Sequence, residues 1–285
     1  MEQFIQQVVN GMIAGSIYAV IAMALALIYG IMQVPNFAIG CFYMFGAYAT
    51  YYLWRFCGIH YLITIPIGMI LLALLGLITE RVCFRPVRNG PHVLGFLVAL
   101  GLMLVLENMG SVMFGTETYM IESPYNRRIP NIGPISLTYQ RLIVFAAGLV
   151  LVLAVDIFLK RTLMGKKIRA TAQSPEAAQL VGISIPRIDM IVYGLGCALA
   201  SAAGSLIGPM FYIFPSMGLL PAIKGMIVIV LGGLGSVRGA ALGGFILGIA
   251  ESLGAGYISS EYKDVFAFGI LIVVLLVKPT GLFKN

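Results

Sequence analysis

The sequence predicts an all-α membrane protein, a polytopic bundle of transmembrane helices. Hydrophobic residues make up 60% of its 285 residues and charged residues 10%, against roughly 25% charged residues in soluble domains. The apolar runs last about 20 residues, the length that a helix needs to cross a bilayer. They lack the in-and-out alternation of a membrane β-barrel. Because no polar stretch is long enough to build a separate domain, residues 1–285 are predicted to form a single transmembrane domain.

Nine apolar runs follow one another along the chain. They are Val8–Met32, Phe37–Trp54, Ile59–Thr79, Val93–Phe114, Leu142–Leu159, Ile188–Met210, Ile223–Gly235, Ala240–Tyr257 and Val265–Val277. The seventh run rises only about 20 Å as a helix, which is shorter than a hydrocarbon core of about 30 Å. It therefore predicts a broken or half-crossing helix, buried in protein or lining a cavity. The count is eight or nine spans.

The basic residues orient the bundle. Three arginines lie in segment 80–88, and six lysines and arginines lie in segment 160–187. Because basic loops stay in the cytoplasm, both segments are predicted to face it, and segment 115–140 is predicted to be an external loop. In the nine-span model the N-terminus then lies outside and the C-terminus in the cytoplasm. The net charge of +7 belongs mainly to the cytoplasmic side, so it does not indicate nucleic-acid binding.

A faint internal repeat joins two parts of the chain. A helix rich in glycine and alanine, followed by a glycine-interrupted helix, occurs near residues 10–50 and again near residues 190–245. Separated by an odd number of crossings, the two units would run in opposite directions, which is typical of transporters built from inverted repeats. The alternative is that glycine-rich membrane helices simply resemble one another.

The 34 glycines include stripes of small residues four positions apart. Such stripes let two helix backbones approach closely. Packing inside the bundle is the favoured interpretation, and a subunit interface or a pore seam is the alternative. The glycines predicted to pack helices are Gly232, Gly233, Gly235, Gly239, Gly243 and Gly244.

Two glutamates, Glu107 and Glu251, fall within apolar runs. A charge at the centre of a transmembrane helix costs about 2.5–3.5 kcal/mol on insertion scales. Each glutamate therefore either lines a polar path or joins two helices by hydrogen bonds. Together with Asn36 and Lys224, these glutamates are the predicted residues of a substrate path.

A short helix is predicted outside the membrane, between the fifth and sixth runs. Ser174 suits the N-cap, Pro175 suits the first helical position and Gly182 suits the C-terminal stop. Since about two turns of helix are not stable alone in water, this helix must dock on its own bundle or in a groove on a cytoplasmic partner. Its residues are Ser174, Pro175, Glu176, Ala177, Ala178, Gln179, Leu180, Val181 and Gly182.

The sequence carries none of the common signatures of catalysis. It has no P-loop motif for the phosphates of ATP and no H-E-x-x-H motif for zinc, and no Ser/His/Asp or Cys/His set is evident. We therefore predict no catalytic residues, no metal site and no cofactor, and we expect that the chain is not an enzyme.

Several segments together resemble the permease subunits of branched-chain amino acid ABC importers. Segment 36–48 (NFAIGCFYMFGAY) is similar to the family's first-half signature, and segment 169–204, with its SPEAAQLVGI core, is similar to the family's cytoplasmic loop. Segment 229–251 (IVLGGLGSVRGAALGGFILGIAE) resembles the second-half signature, and segment 277–283 (VKPTGLF) resembles the C-terminal tail. The resemblance covers most of the chain.

This resemblance implies a multi-pass permease of the bacterial inner membrane that works by ATP-driven alternating access. The expected partners are a second permease subunit, similar or identical, cytoplasmic ATP-binding subunits, a periplasmic or lipid-anchored solute-binding protein and the surrounding lipid. The segment Glu176–Gly182 would be the helix that couples the permease to an ATPase, where ATP is hydrolysed.

The family pattern is not matched everywhere. Ile39 and Cys41 stand where the family often has histidine and glutamate, and Arg238 stands where proline is frequent. The expected solute is a branched-chain amino acid or a similar small polar molecule, with urea and short amides as alternatives. A stand-alone secondary transporter or channel is a competing hypothesis, which leaves the short helix unexplained.

Overall fold

The computed structural model describes residues 2–88, 90–123, 125–126, 137–259, 262–278 and 281–283. These residues form helices and loops, with an isolated β-bridge between Tyr119 and Ile213. The all-α prediction is therefore confirmed for the described part of the chain. The α-helices are α1 (Glu2–Met32), α2 (Ile39–Cys57), α3 (Tyr61–Thr79), α4 (His92–Phe114), α5 (Tyr139–Arg161), α6 (Leu163–Gln173), α7 (Pro175–Leu180), α8 (Ile185–Ile207), α9 (Leu219–Gly232), α10 (Val237–Tyr257) and α11 (Lys263–Val277).

Six of the described helices are long and apolar enough to cross a membrane, which makes this a multi-pass membrane protein. They are α1, α3 with its extension to Val87, α4, α5, α8 and α10. The extension is a π-helical turn, Glu80–Phe84, followed by a 3-10 turn, Arg85–Val87. Helix α2 has 19 residues but is less apolar, because four of them are tyrosines. With α9 and α11 also short, at 14 and 15 residues, the predicted eight or nine spans are not confirmed.

Helices α1 and α8 form the centre of the bundle. Most of their length is buried, whereas α3, α4 and α5 expose most of their surface. Helix α1 runs antiparallel to α10, with Gly11 against Ile249 and Gly15 against Phe245. A Cβ atom added to Gly11 would lie 2.6 Å from the Ile249 Cα atom, so glycine is needed for this backbone approach.

Two interruptions of the helices lie at the same end of the bundle. One separates α1 from α2, where Gln33 has a φ of 52°. The other separates α9 from α10, where Gly233 and Gly235 have φ values of 101° and 81°, in the region that glycine adopts readily. Gly30 near the end of α1 faces Gly235. The short, broken helix predicted from the seventh run is α9, but the inverted repeat is not confirmed.

The predicted loops differ from the expectation in their detail. Part of the predicted external loop 115–140 lies outside the described residues. Segment 160–187 contains α6 as well as α7, and α6 was not predicted. Helix α6 has a polar surface with Lys166, Lys167 and Arg169 exposed, and it buries Gly165, Ile168 and Thr171. A search for long apolar runs does not find such a helix.

Candidate functional site

A cluster of charged side chains joins four helices inside the bundle. Lys224 of α9 places its Nζ atom 3.0 Å from Glu251 Oε1 on α10 and 2.8 Å from Asp264 Oδ1 on α11. Tyr18 of α1 donates a hydrogen bond to Glu251 Oε2 at 2.8 Å. Lys263 Nζ lies 3.6 Å from the same Glu251 oxygen. The two lysines and two carboxylates balance in charge, and the cluster ties α9, α10, α11 and α1 together.

Burial makes the pairing within this cluster necessary. The Glu251 side chain is 0% exposed and the Lys224 side chain 11%. Removing two charges from water costs several kcal/mol for each ion, and this cost is offset only when the pair has good geometry and further hydrogen bonds. The Lys224 ammonium has good geometry and further hydrogen bonds, to Glu251 Oε2 and to Tyr18 OH. It also lies 5.4 Å from the centre of the Tyr18 ring, in a cation–π contact. Asp264 lies in the first turn of α11, where the helix dipole favours a negative charge.

Two neighbouring cavities open beside this cluster. One has a volume of about 240 Å³ and the other about 370 Å³. They share Ile17, Tyr18, Ile207, Phe211 and Lys263 as lining residues, so we treat them as one joined cavity. The dimensions suit a small molecule.

The smaller part of the joined cavity is mainly apolar, with two lysines and three tyrosines as its polar residues. Besides Lys224 and Lys263, its wall includes Ile21, Met217 and Leu220. Such a wall suits an aliphatic group, whose transfer out of water is favourable by about 25 cal/mol for each Å² buried.

The larger part of the joined cavity is more polar. Arg141 Nη1 donates a hydrogen bond to Asn10 Oδ1 at 2.8 Å, and both residues line this part. Ser252 Oγ donates to the Gln7 backbone oxygen at 2.7 Å. The polar face of α1 thus contacts α5 and α10, and it gives the larger part its hydrogen-bonding groups.

The structure brings together two of the four residues predicted for a substrate path, Lys224 and Glu251. The other two lie elsewhere. Asn36 is buried at the break before α2, where Nδ2 donates to Tyr193 OH at 3.1 Å and Oδ1 accepts from the Ala38 backbone. Glu107 is half-buried on α4, and its backbone oxygen accepts a hydrogen bond from Ser111. Neither residue lines the joined cavity.

Three residues of the charged cluster were not predicted from the sequence. Tyr18 lies in a continuous apolar run, and its hydroxyl has no sequence signal. Lys263 and Asp264 come directly before the last apolar run and were counted as part of a loop. The neighbours Lys263 and Asp264 were a usable signal, because an aspartate in the first turn of a helix suits the helix dipole.

The predicted docking helix, α7, lies at another end of the molecule. Ser174 Oγ accepts a hydrogen bond from the Ala177 backbone N–H at 3.2 Å, so Ser174 is the N-cap. Ala178 is 3% exposed and faces the bundle, whereas Leu180 and Val181 are 89% and 76% exposed. Gly182 ends the segment with a φ of 80°. Only part of the apolar surface of α7 is therefore covered by the described residues.

A second ion pair, between a half-buried arginine and a buried aspartate, lies close to α7. Arg88 Nη1 is 3.1 Å from Asp189 Oδ2, which joins the extension of α3 to the start of α8. Both residues line a cavity of about 350 Å³, together with Glu80 and Pro175, the first residue of α7. The start of α7 is thus in contact with a charged cavity of the bundle.

The glycines predicted to pack helices lie at close contacts between backbones. Gly232 faces Gly239 across the turn between α9 and α10, and Gly243 faces Val228 of α9. Gly244 faces Ala19 of α1. The other two, Gly233 and Gly235, face Gly281 and Gly30.

Comparison with known proteins places these features in a family. The family model described as "Branched-chain amino acid transport system / permease component" matches residues 7–275. The chain is 36% identical to the high-affinity branched-chain amino acid transport system permease protein LivH of Salmonella typhimurium, over 98% of this chain and 95% of that protein. It is 33% identical to the permease protein BraD of Pseudomonas aeruginosa, over 98% and 95% of the two chains.

A more distant relative and one solved structure agree in length. The probable branched-chain amino acid transport permease protein LivH of Methanocaldococcus jannaschii is 29% identical over 96% of this chain and 90% of that protein. The structure of PsaBC from Streptococcus pneumoniae in complex with Fab matches with a TM-score of 0.51 at 13% identity, covering 95% of this chain and 91% of that chain. At this identity the structural match shows the fold alone. The permeases of this family are membrane components of ABC transport systems and not enzymes. The family match and the relatives that align over nearly the whole chain show that this chain belongs to the branched-chain amino acid transport permeases.

Proposed function

We propose that the chain is the permease subunit of an ABC importer that carries a branched-chain amino acid, or a similar small polar solute, across the bacterial inner membrane. The observation that carries this proposal is the joined cavity, whose smaller part has a wall of aliphatic and aromatic residues with Lys224 and Lys263 in it. A branched-chain amino acid has a matching shape, with an aliphatic side chain at one end and charged groups at the other. The relatives' names give the same class of solute.

ATP would be hydrolysed on separate subunits and would act on this chain through α7. The support is the exposure of Leu180 and Val181 on a helix that is anchored to the bundle by Ala178. Such a helix can enter a groove on a cytoplasmic ATP-binding subunit and move as one piece with it. The proposal includes two ATP-binding subunits, a second permease that is similar or identical, and a periplasmic or lipid-anchored binding protein.

In this proposal the end of the bundle with α6 and α7 faces the cytoplasm, and the N-terminus lies outside. Support comes from the basic residues of α6 and of the turns near Arg88, which favour the cytoplasmic side. Helices α2, α9 and α11 would complete the eight or nine crossings within one domain, 1–285. They are short or weakly apolar, which is tolerated where protein or a cavity surrounds them.

The solute path would include Lys224, which lines the cavity, and Glu251, which holds that lysine in place. Asn36 and Glu107 are proposed for other parts of the path, since they lie away from the joined cavity. Alternating access would open this cavity first to one side of the membrane and then to the other. The interruption after α1 and the interruption between α9 and α10 lie beside each other, where Gly30 faces Gly235. Such a motion could bend the helices there.

The test is purification in mild detergent, followed by reconstitution into proteoliposomes with whatever subunits remain bound. We expect an ATP-binding subunit to co-purify, and we expect leucine uptake that depends on ATP and on the binding protein. Uptake of urea or acetamide, without leucine, would instead assign the solute to the short amides. Solute flux through this chain alone, without ATP, would overturn the proposal and favour a secondary transporter or channel.

A further inference from the structure

The charged groups that line the joined cavity all have the same sign. Lys224 and Lys263 line its smaller part, and Lys263 and Arg141 line its larger part. Among the described residues no aspartate or glutamate lines either part. The surface offered to a solute is therefore cationic and aliphatic.

Glu251 lies behind the lysines of the cluster, whereas the Asp264 side chain is 54% exposed outside the cavity wall. Glu251 is fully buried and contacts Lys224 Nζ at 3.0 Å, and Asp264 contacts it at 2.8 Å from α11. Neither carboxylate lines the cavity. Their effect is to fix the Lys224 ammonium at the wall.

Donors for an anion remain at this wall. The Lys224 ammonium already contacts Glu251, Asp264 and Tyr18 OH, so its donors are used within the cluster. The Lys263 ammonium has three N–H donors and approaches Glu251 only at 3.6 Å, which is longer than a hydrogen bond. Lys263 is also 40% exposed, so it can turn towards a solute. Arg141 uses Nη1 for Asn10, which leaves other guanidinium N–H groups for a second anionic contact.

We infer that this cavity recognises the carboxylate and the aliphatic chain of its solute, and not the ammonium group. The inference rests on the proposed function and assigns the recognition to Lys263, with Arg141 at the far end. A solute ammonium would meet neutral oxygens such as Tyr18 OH and Ser252 Oγ, and no carboxylate of the described residues lines the cavity to pair with it. The cavity therefore accepts aliphatic carboxylates as a class, including 2-oxo acids that lack the amino group, and rejects amides of the same shape.

The test measures binding to the complete transporter in lipid nanodiscs, without ATP and without the binding protein. Tritiated leucine is the probe, and it is displaced by either 4-methyl-2-oxopentanoate or leucinamide. The oxo acid has the carboxylate and aliphatic chain without the ammonium, and leucinamide has the ammonium without the carboxylate. We expect the oxo acid to displace tritiated leucine at concentrations similar to those at which unlabelled leucine does. We expect leucinamide not to displace it even at a concentration about tenfold higher, since a hydrogen bond to a charged group contributes about 1.5–3 kcal/mol.

The substitution Lys263→Gln should weaken leucine and oxo-acid binding by about tenfold or more, by loss of one charged contact. Lys278→Gln is the matched control, because Lys278 is exposed at the opposite end of α11 and should leave binding unchanged. Competition by leucinamide but not by the oxo acid would overturn the inference, as would the absence of leucine binding. ATP-driven leucine uptake by the same preparation in proteoliposomes tests the proposed function separately, and uptake that leucinamide blocks would reject the inference alone.

Discussion

The contact between α1 and α10 differs from the surface of α7 in how closely its residues are packed. Between α1 and α10 the glycines bring two backbones together so closely that Gly11 and Gly15 have no room for a Cβ atom. On α7, Leu180 and Val181 extend into open space. The first region is packed within this chain, whereas the second leaves two large apolar side chains uncovered by the described residues.

This difference shows where stability and function are separated in the sequence. A change between α1 and α10 must alter the fold, because no flexible side chain is available there to move aside. A change at the exposed part of α7 can alter only what the chain binds. The charged cluster lies between these extremes, since Glu251 is fully buried but Lys224 also borders a cavity. The following substitutions test the contrast in order of their expected effect on folding.

The largest effect is expected from Gly248→Leu. Gly248 of α10 faces the backbone of α1 at Gly15 and Gly11, so a leucine side chain would force the two helices apart. Overpacking a core costs typically 1–3 kcal/mol where side chains can adjust, and backbone cannot adjust here. We expect loss of folded, monodisperse protein, measured by size-exclusion chromatography.

The control for this change is Gly101→Leu on α4. Nothing lies within 4 Å of a Cβ atom added to Gly101, and the residue is exposed. Its yield and Tm should match those of the unchanged protein. An equal loss of folded protein from Gly248→Leu and Gly101→Leu would show that the close backbone contact between α1 and α10 is not the cause.

The second effect is expected from Glu251→Ala, which leaves the Lys224 ammonium buried with only Asp264 as a carboxylate partner at 2.8 Å. Breaking a buried ion pair by removing one partner costs about 3–5 kcal/mol. The Tm measured in detergent should fall clearly, and transport should be lost.

A double variant separates these two losses. Lys224→Met together with Glu251→Leu removes both charges, and replacing a buried pair by apolar residues is often neutral for stability. The Tm should return towards that of the unchanged protein while transport stays absent. Recovery of transport would show that the cluster only joins the helices and does not act on the solute.

The sequence predicted the long apolar helices better than the polar helix α6 and the polar start of α1. Long apolar runs located most helices, because a membrane span leaves a pattern that is readable without tertiary contacts. Helix α6 was missed, because its surface is polar. The first apolar run begins at Val8, whereas helix α1 begins at Glu2, and in this polar start Gln7 and Asn10 find partners on α10 and α5.

The candidate site was only half predictable for a physical reason. Lys224 and Glu251 were separately suspect, because a charge in an apolar run needs a partner. Nothing in the sequence said that they are each other's partners, since that follows from the packing of α9 on α10. Asp264 lies in the connection before the last apolar run, where water can solvate a charge and no buried partner is needed.

A smaller effect is expected from Ser174→Ala at the start of α7. It removes the acceptor for the Ala177 backbone N–H, and losing such an N-cap costs about 0.5–2 kcal/mol. Because α7 has only six residues, the loss should loosen α7 alone. Hydrogen exchange of the α7 amides should speed up while the Tm of the bundle stays unchanged. Ser174→Asp is the control, because aspartate also caps helices and should keep exchange slow.

The smallest effect on folding, with a full effect on transport, is expected from Leu180→Ser. Leu180 is 89% exposed, and surface substitutions of this kind usually change stability by less than about 0.5 kcal/mol. If α7 enters a groove on an ATP-binding subunit, loss of this side chain should weaken that association and uncouple ATP hydrolysis from uptake, measured by co-purification and by leucine uptake. Leu163→Ser is the matched control, because Leu163 is also exposed, at 75%, but lies on α6. Unchanged association and uptake after Leu180→Ser would mean that the open surface of α7 is not the contact with the ATPase, and the contrast with α1 and α10 would then be one of packing alone.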